Sequence, residues 1–253
     1  MIELSNVTLK RGESVTLDEV SLKFGAGGIT ALIGPNGAGK STLLHTMSGL
    51  LPPTHGEILV EGLDVVRARP QDRARHVALL TQSERVTARL TVRDLVSFGR
   101  WPHHKGRPTA HDHARVEAAL DLFGLEDLAE RLIETLSGGQ RQRAFVAMAF
   151  AQDTPWILLD EPLAALDPKH ARDLLERLYD LSRPGPDQRS VVIVLHDLSA
   201  TAHYADRIVA LKAGRLMASG PRVLAMTDRV LSDLFDTELR MGEVDGRRVV
   251  VPV

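Results

Sequence analysis

The stretch at residues 34–42 constrains the fold of this chain more than any other. It fits the pattern G-x-x-x-x-G-K-[ST], and its members are Gly34, Pro35, Asn36, Gly37, Ala38, Gly39, Lys40, Ser41 and Thr42. Glycines lack a Cβ, so they let successive backbone N–H groups converge on phosphate oxygens, and the lysine adds a mobile positive charge. The serine hydroxyl is a ligand for Mg²⁺. The stretch therefore predicts a loop that binds the phosphates of a nucleotide with its metal ion.

The residues on either side of this loop agree with it. Residues 29–33 form a short apolar run of the strand type, and residues 41–50 fit a helix. The motif requires this strand–loop–helix order, because the positive end of the helix dipole must point at the phosphates. The alternative is a glycine-rich turn in an unrelated α/β protein, which the Lys-Ser-Thr ending disfavours.

Size and composition limit the other possibilities. A chain of 253 residues that is 43% apolar can bury the core of one large domain. Lysine and arginine number 31 against 33 acidic residues, so no overall charge directs the protein to nucleic acid, and we expect no nucleic-acid partner. The absence of cysteine excludes disulfides and thiolate metal sites. The apolar run at 144–151 is far shorter than the ~20 residues of a membrane-spanning helix, so we expect any membrane role to be peripheral.

Hydrophobic periodicity predicts strands alternating with helices. The predicted strands are 2–9, 15–24, 29–33, 57–60, 76–81, 156–160, 191–195 and 207–212, and the predicted helices are 41–50, 70–75, 91–99, 111–123, 141–152, 169–182 and 198–204. Runs that are apolar at every position are typical of central parallel strands, as at 156–160 and 191–195. Alternation at 2–9 and 15–24 is typical of an outer antiparallel sheet. The chain is therefore expected to be an α/β protein with a mixed sheet.

Two further segments stand out along the chain. The residues between 81 and 156 are too many for one crossover, so they predict an inserted helical lobe at 83–153. The pair Asp245-Gly246 lies between two β-prone segments and predicts a hairpin, which makes residues 239–253 a terminal ribbon.

A pair of acids follows the apolar run that starts at Trp156. Neighbouring strand residues point in opposite directions, but at a strand end the chain can turn. Asp160 would then lie beside the Mg²⁺ held by Ser41, and Glu161 would lie near the γ-phosphate, where it can polarise the attacking water. The alternative for such a pair is a solvated turn, and the phosphate loop earlier in the chain makes that alternative weaker.

The segment Leu136-Ser137-Gly138-Gly139-Gln140 precedes an apolar helical stripe. Ser137 and Gln140 fit a capping box, which by itself indicates only a well-capped helix. A cap needs at most one glycine, whereas Gly138 and Gly139 expose bare N–H groups at the start of the helix. This segment therefore predicts a second anion site.

In this order the motifs resemble those of ATP-binding cassette (ABC) proteins. Walker A at 34–42, the LSGGQ signature at 136–140 and Walker B at 156–161 are joined by Gln82, Asp167 and His196, and the match covers nearly the whole chain. The resemblance implies an ABC nucleotide-binding domain over 1–253, with an antiparallel β subdomain and an inserted helical subdomain.

The resemblance also implies how ATP is bound. It implies a head-to-tail homodimer in which Ser137, Gly138, Gly139 and Gln140 meet the γ-phosphate on the other chain, while His196 contacts it on the same chain and Asp167 lies at the dimer seam. Gln82 would bind Mg²⁺ and water. ATP and Mg²⁺ are thus the expected cofactors, and Glu161, His196 and Gln82 the expected catalytic residues.

Within this family the chain is most similar to the ATPase subunits of iron(III)-siderophore importers. The similarity rests on residues 90–102, residues 141–148, the pair Pro162-Leu163 and the terminal ribbon. It implies two separate permease subunits, indirect work with a substrate-binding protein, and a peripheral position on the cytoplasmic face of the inner membrane. Haem or cobalamin import, export, and a soluble scaffold ATPase remain alternatives.

Three groups of residues carry competing interpretations. Where the family often stacks adenine on an aromatic ring this chain has Arg11, which either stacks on the base or is an ordinary surface residue. The histidines at 103, 104, 111 and 113 suit a metal site, but an exposed loop of the lobe is the favoured interpretation. The arginines at 67, 69, 73 and 75 indicate a solvated helix face rather than a nucleic-acid patch.

Overall fold

The computed structural model describes residues 1–81, 89–104 and 106–253. In these ranges the strands are β1 (Ile2–Arg11), β2 (Ser14–Phe24), β3 (Ile29–Ile33), β4 (His55–Val60), β5 (Leu63–Asp64), β6 (Val77–Leu80), β7 (Trp156–Leu159), β8 (Ser190–Val194), β9 (Arg207–Lys212), β10 (Arg215–Pro221), β11 (Leu239–Val244) and β12 (Arg247–Pro252). The helices are α1 (Lys40–Met47), α2 (Pro70–Arg73), α3 (Val92–Phe98), α4 (Trp101–His104), α5 (Ala110–Leu122), α6 (Gly138–Ala151), α7 (Pro168–Leu181), α8 (Leu198–Tyr204), α9 (Arg222–Ala225) and α10 (Asp228–Phe235). Short 3₁₀ turns lie at Glu126–Leu128 and Ile133–Thr135.

The central sheet has the order β10-β9-β3-β8-β7-β6. Strands β9, β3, β8, β7 and β6 are parallel to one another, and β10 is antiparallel to β9. Alternate residues of the central strands enter two different hydrophobic clusters: in β8, Ile193 lies in one and Val192 in the other. Both faces of the sheet are covered, which explains why these strands are apolar at every position.

An outer sheet of order β2-β1-β4-β5 is antiparallel throughout. Its inward-facing residues, including Ile2 and Ile58, pack with the underside of the central sheet and with α1. The mixed α/β fold and the outer antiparallel sheet predicted from periodicity are confirmed.

Helices α3 to α6 lie between β6 and β7 in the chain, where the sequence predicts an inserted lobe. The first boundary of that lobe, residue 83, falls outside the described residues. Arg100 and Asp112 are buried in this segment, and Arg100 Nε donates to Asp112 Oδ1 at 3.0 Å. Burial raises the pKa of Asp112, but hydrogen bonds from Thr109 and Arg100 outweigh it and hold that pKa well below its usual range.

The observed elements differ from the prediction in a few places. Helix α6 begins at Gly138, three residues before the predicted start, because Ser137 and Gln140 form the capping box and therefore fix the first turn. Strand β10 and helix α10 were not predicted. Strand β10 contains Gly220 and ends in Pro221, which are weak strand formers, and it is formed by pairing with β9.

Strands β11 and β12 pair antiparallel around Asp245 and Gly246, where the sequence predicts a hairpin. None of the helices in the described ranges is long and apolar enough to cross a membrane.

Candidate nucleotide site

The glycine-rich loop lies between β3 and α1, at the carboxyl end of a central strand. Gly34 has φ of 145°, and a Cβ on it would lie 2.1 Å from the carbonyl oxygen of Leu211. Gly39 has φ of 97°, and its Cβ would lie 2.7 Å from the carbonyl oxygen of Thr16. The backbone therefore requires glycine at both positions, and the neighbouring strands hold the loop in place.

Lys40 begins α1 and is 5% exposed. Its Nζ donates to the carbonyl oxygens of Gly34 at 2.7 Å and Pro35 at 2.9 Å. Burial lowers the pKa of Lys40, and the charges of Glu161 and Asp160 oppose that shift. The ammonium group is thus held inside the loop by two of the loop's own carbonyl groups.

Ser41 and Asp160 are brought together from α1 and the end of β7. Ser41 Oγ donates to Asp160 Oδ1 at 2.9 Å, and Asp160 is 1% exposed. Burial raises the pKa of Asp160, although the bond from Ser41 and the charge of His45 oppose this. A buried carboxylate next to a hydroxyl offers the oxygen donors that Mg²⁺ prefers.

Glu161 and His196 form a second pair. His196 follows β8, and its Nε2 lies 2.7 Å from Glu161 Oε1. Glu161 has φ of 50°, in the left-handed region, so the chain turns directly after β7. The turn is what directs both acids of the Asp160-Glu161 pair to the same edge of the sheet.

Strand order explains why these groups meet. The loop follows β3, His196 follows β8 and the two acids follow β7, and these strands are parallel neighbours. A cavity of about 160 Å³ lies at this edge, and its lining comprises Thr16, Asn36, Gly37, Ala38, Gly39, Lys40, Ser41, Thr42 and Glu161. Gln82, which follows the next strand β6, lies outside the described residues, so its role stays a prediction.

The second predicted anion site opens α6. Gln140 N donates to Ser137 Oγ and Ser137 N donates to Gln140 Oε1, so the capping box is present. A Cβ on Gly139 would lie 3.1 Å from Leu166 Cδ2. None of residues 137–140 lines the cavity beside the glycine-rich loop. The two anion sites of one chain are therefore separate.

Asp167 caps α7 next to the start of α6. Its Oδ1 accepts from His170 N at 3.0 Å, and its Oδ2 lies 2.7 Å from His170 Nδ1. These bonds lower the pKa of Asp167, which is exposed to solvent.

Comparison with known proteins identifies the family. Residues 17–164, more than half of the chain, match the family model described as ABC transporter. The chain belongs to the ABC transporter family.

Individual ABC proteins resemble it along nearly its whole length. The petrobactin import ATP-binding protein YclP of Bacillus subtilis (strain 168) is 41% identical over 99% of each chain. The hemin import ATP-binding protein HmuV of Nocardia farcinica (strain IFM 10152) is 41% identical over 94% of this chain and 82% of its own. A solved ABC transporter assigned to the metal-chelate type, in an inward-facing conformation, superposes with a TM-score of 0.85 at 27% identity and covers 100% of this chain and 97% of its own.

Sequence reasoning missed two residues at this ABC nucleotide site. His45 Nε2 lies 3.8 Å from Asp160 Oδ2, and burial lowers the pKa of His45. Helical spacing from Ser41 to His45 places both on one face of α1 and would have indicated this neighbour. Thr16 lines the cavity from β2, and no local pattern predicts that contact because it depends on how the two sheets pack.

The competing interpretations have mixed outcomes. His103 and His104 lie in the short helix α4 rather than in an exposed loop. The Nε2 atom of His103 lies 2.8 Å from the carbonyl oxygen of Gln152. In the described residues no group of three or more metal-binding side chains is present. Arg11 is exposed at the end of β1, and its stacking on adenine stays a prediction.

The arginines near α2 do not share one solvated helix face, because α2 has only four residues. Arg73 donates to the carbonyl oxygen of Val65, and Arg75 donates to that of Pro102. These two side chains therefore hydrogen-bond to backbone carbonyl groups elsewhere in the chain, whereas Arg69 forms an ion pair with Asp72 at the surface.

Proposed function

We propose that this chain is the ATP-hydrolysing subunit of a membrane importer that takes up iron(III)-siderophore complexes. The observation that carries the cargo class is the 41% identity to a petrobactin import protein over 99% of both chains. The nucleotide site supports the activity. The partners of this subunit are a second copy of the chain, two permease subunits in the membrane and, indirectly, a substrate-binding protein, so it works at the cytoplasmic face of the inner membrane.

Binding of ATP begins with the glycine-rich loop. Its backbone N–H groups and the positive end of α1 attract the β- and γ-phosphates. Lys40 leaves its bonds with Gly34 O and Pro35 O and donates to phosphate oxygens instead. Because the ammonium group is already buried, little side-chain entropy is lost when it does so.

Ser41 and Asp160 fit Mg²⁺, since a hydroxyl and a buried carboxylate stand 2.9 Å apart and burial disfavours the charge of Asp160 when it is alone. When bound, the ion neutralises phosphate charge. Gln82 is a further ligand in this proposal. His45 Nε2 lies 3.8 Å from the second oxygen of Asp160, too far for a direct hydrogen bond.

Glu161 polarises the water that attacks the γ-phosphate. The water oxygen bonds to phosphorus, the bond to the β-phosphate oxygen breaks, and Glu161 accepts the proton. His196 holds Glu161 at 2.7 Å before ATP arrives, and it donates to the γ-phosphate once the site is filled. When His196 turns to the γ-phosphate its contact with Glu161 changes, so the position of the base Glu161 depends on whether the γ-phosphate is bound.

A second chain completes the site. The N–H groups of Ser137 and Gln140 are used by the capping box, which leaves those of Gly138 and Gly139 at the start of α6 for an anion. Neither glycine lines the cavity beside the glycine-rich loop of its own chain. A two-fold dimer gives each glycine-rich loop the signature segment of its partner, and Asp167 lies at the seam. ATP then joins the two chains, and its hydrolysis releases them, which moves the permease subunits.

Uptake measurements test the proposal. In cells whose only copy is Glu161→Gln, radioiron-siderophore uptake should fall to background, while Glu126→Gln, an equivalent change at an exposed surface acid, should keep wild-type uptake. Normal siderophore uptake in the Glu161→Gln cells would contradict the cargo assignment.

Haem is the second candidate cargo, because the hemin import relative is also 41% identical. Labelled haem and cobalamin are therefore measured in the same cells. Loss of haem uptake with intact siderophore uptake would assign the chain to a haem importer. Unchanged uptake of all three would favour an exporter or a soluble scaffold.

A further inference from the structure

The terminal ribbon of β11 and β12 is joined to the rest of the described chain through side chains of two different helices. On strand β11, Leu239 N donates to Ser232 Oγ at 3.0 Å and Met241 N donates to Asp228 Oδ1 at 2.8 Å, both on α10. On strand β12, Val250 N donates to Ser199 Oγ at 3.1 Å, on α8. The ribbon thus connects α10 with α8.

Helix α8 starts two residues after His196. Asp197 caps it by accepting from Ala200 N at 2.9 Å, and the fully buried Thr201 donates to the carbonyl oxygen of Asp197, also at 2.9 Å. These bonds fix the backbone next to His196 to the first turn of α8. Any displacement of α8 therefore displaces His196 relative to Glu161.

The ribbon also lines a cavity that reaches the neighbours of Asp167, the residue expected at the dimer seam. This open cavity of about 390 Å³ lies between α7, α8 and β12, and its lining includes Leu166 and Asp197, the neighbours of Asp167 and His196. Beside this cavity Val250 packs against the main hydrophobic cluster. Helix α8 is therefore held by the central sheet and α7 on one side and by β12 on the other.

We propose that the terminal ribbon positions His196 for hydrolysis, with Ser199 as the positioning residue that connects β12 to α8. The proposal rests on the ATPase function above. Catalytic groups must be held close to their working geometry, and a displacement of about 1 Å can cost a large factor in rate. The glycine-rich loop, which makes most of the phosphate contacts, belongs to a different element, so loosening α8 affects the hydrolytic step more than ATP binding.

The structure supplies a matched pair of variants. Ser199→Ala removes the bond from Val250 N on β12 to α8. Ser232→Ala removes the corresponding contact between β11 and α10, in which Ser232 Oγ accepts from Leu239 N and donates to Leu239 O. Steady-state ATP hydrolysis by the full chain with Mg²⁺ gives kcat and KM, and thermal unfolding gives Tm. Ser199→Ala should lower kcat about threefold to tenfold, the equivalent of one hydrogen bond, and change KM less than kcat. Ser199→Thr keeps the hydroxyl and should restore kcat, and Ser232→Ala should keep wild-type kcat.

Two results would overturn the inference: wild-type kcat in Ser199→Ala, or an equal loss of kcat in Ser199→Ala and Ser232→Ala, which would mean that the ribbon contributes only stability. His196→Ala separates this failure from that of the proposed function. If wild type hydrolyses ATP and His196→Ala lowers kcat, the ATPase activity on which the inference rests stands whatever Ser199→Ala does. If His196→Ala keeps wild-type kcat, the assigned role of His196 fails and the inference fails with it.

Discussion

The chain contains two glycine-bearing segments that can bind anions, and they are built in different ways. The loop at 34–39 is enclosed by β2, β9 and the turn after β9, and its glycines have left-handed backbone angles. The signature at 137–140 is an ordinary capped helix start, partly exposed, whose glycines have no positive φ.

This difference shows what each glycine is for. At Gly34 and Gly39 of the first segment a Cβ would collide with the chain's own backbone, so glycine is needed there for the loop to form. In the second, the nearest obstacle to a Cβ on Gly139 is the end of the Leu166 side chain at 3.1 Å, so a shift of a few tenths of an ångström in that side chain is enough to admit it. In the proposed dimer, glycine is needed there for the phosphate that approaches from the other chain. In the proposed dimer, the first segment completes its half of the site within one chain, and the second supplies the other half to the partner chain.

Gly34→Ala should have the largest effect. The added Cβ would lie 2.1 Å from Leu211 O at φ of 145°, so the loop has to rearrange. We expect a loss of about 3–5 kcal/mol in the free energy of unfolding and no detectable ATP binding. Denaturant unfolding and fluorescent-ATP titration measure both, and wild-type ATP affinity would contradict the comparison.

Gly139→Ala should fold normally and bind ATP within about twofold of wild type, yet lose hydrolysis by at least about tenfold. The reason is that a methyl group covers the N–H groups which face the partner's phosphate. Gly185→Ala is the matched control, because a Cβ there has nothing within 4 Å. A drop in Tm for Gly139→Ala comparable to that of Gly34→Ala would contradict the claim that only the first segment needs glycine in order to fold.

The two half-sites also differ in how they shift the pKa of a nearby carboxyl group. Burial raises the pKa of Asp160 in the first half-site, whereas backbone and side-chain bonds from His170 lower the pKa of Asp167 in the second. A raised pKa in the folded state means that ionisation of Asp160 at neutral pH destabilises the fold. Asp160→Asn should therefore raise Tm by about 2 °C in the absence of Mg²⁺ while it abolishes hydrolysis.

The smallest effect belongs to Asp167. Because its pKa is lowered in the folded state, its contribution to stability is present above its unfolded-state pKa and is lost as the pH falls through the folded value. Asp167→Ala should lower Tm slightly at neutral pH, and the difference from wild type should shrink as the pH is lowered through the carboxyl range. A difference that does not vary with pH would show that the charge is irrelevant to the cap.

Much of the fold followed from local pattern because the informative residues are adjacent in the chain. Apolar runs located β3, β7 and β8, and the capping residues Ser137 and Gln140 located the start of α6 more accurately than periodicity did. The position of Thr16 beside the glycine-rich loop depends on how two sheets pack, and the bond from Val250 to Ser199 joins residues 51 positions apart. Contacts of that kind leave no short-range signal in a sequence.

The central claim is that each ATP is held by the glycine-rich loop of one chain and the signature of another. The chain contains no cysteine, so single cysteines can be introduced without background. Chains carrying Asn36→Cys and chains carrying Ser137→Cys, both with Glu161→Gln, are mixed and treated with a short bis-maleimide, with and without ATP. The account predicts a covalent dimer that forms in the mixture, needs ATP, and is absent from either variant alone. ATP binding without any cross-linked dimer in the mixture would contradict it.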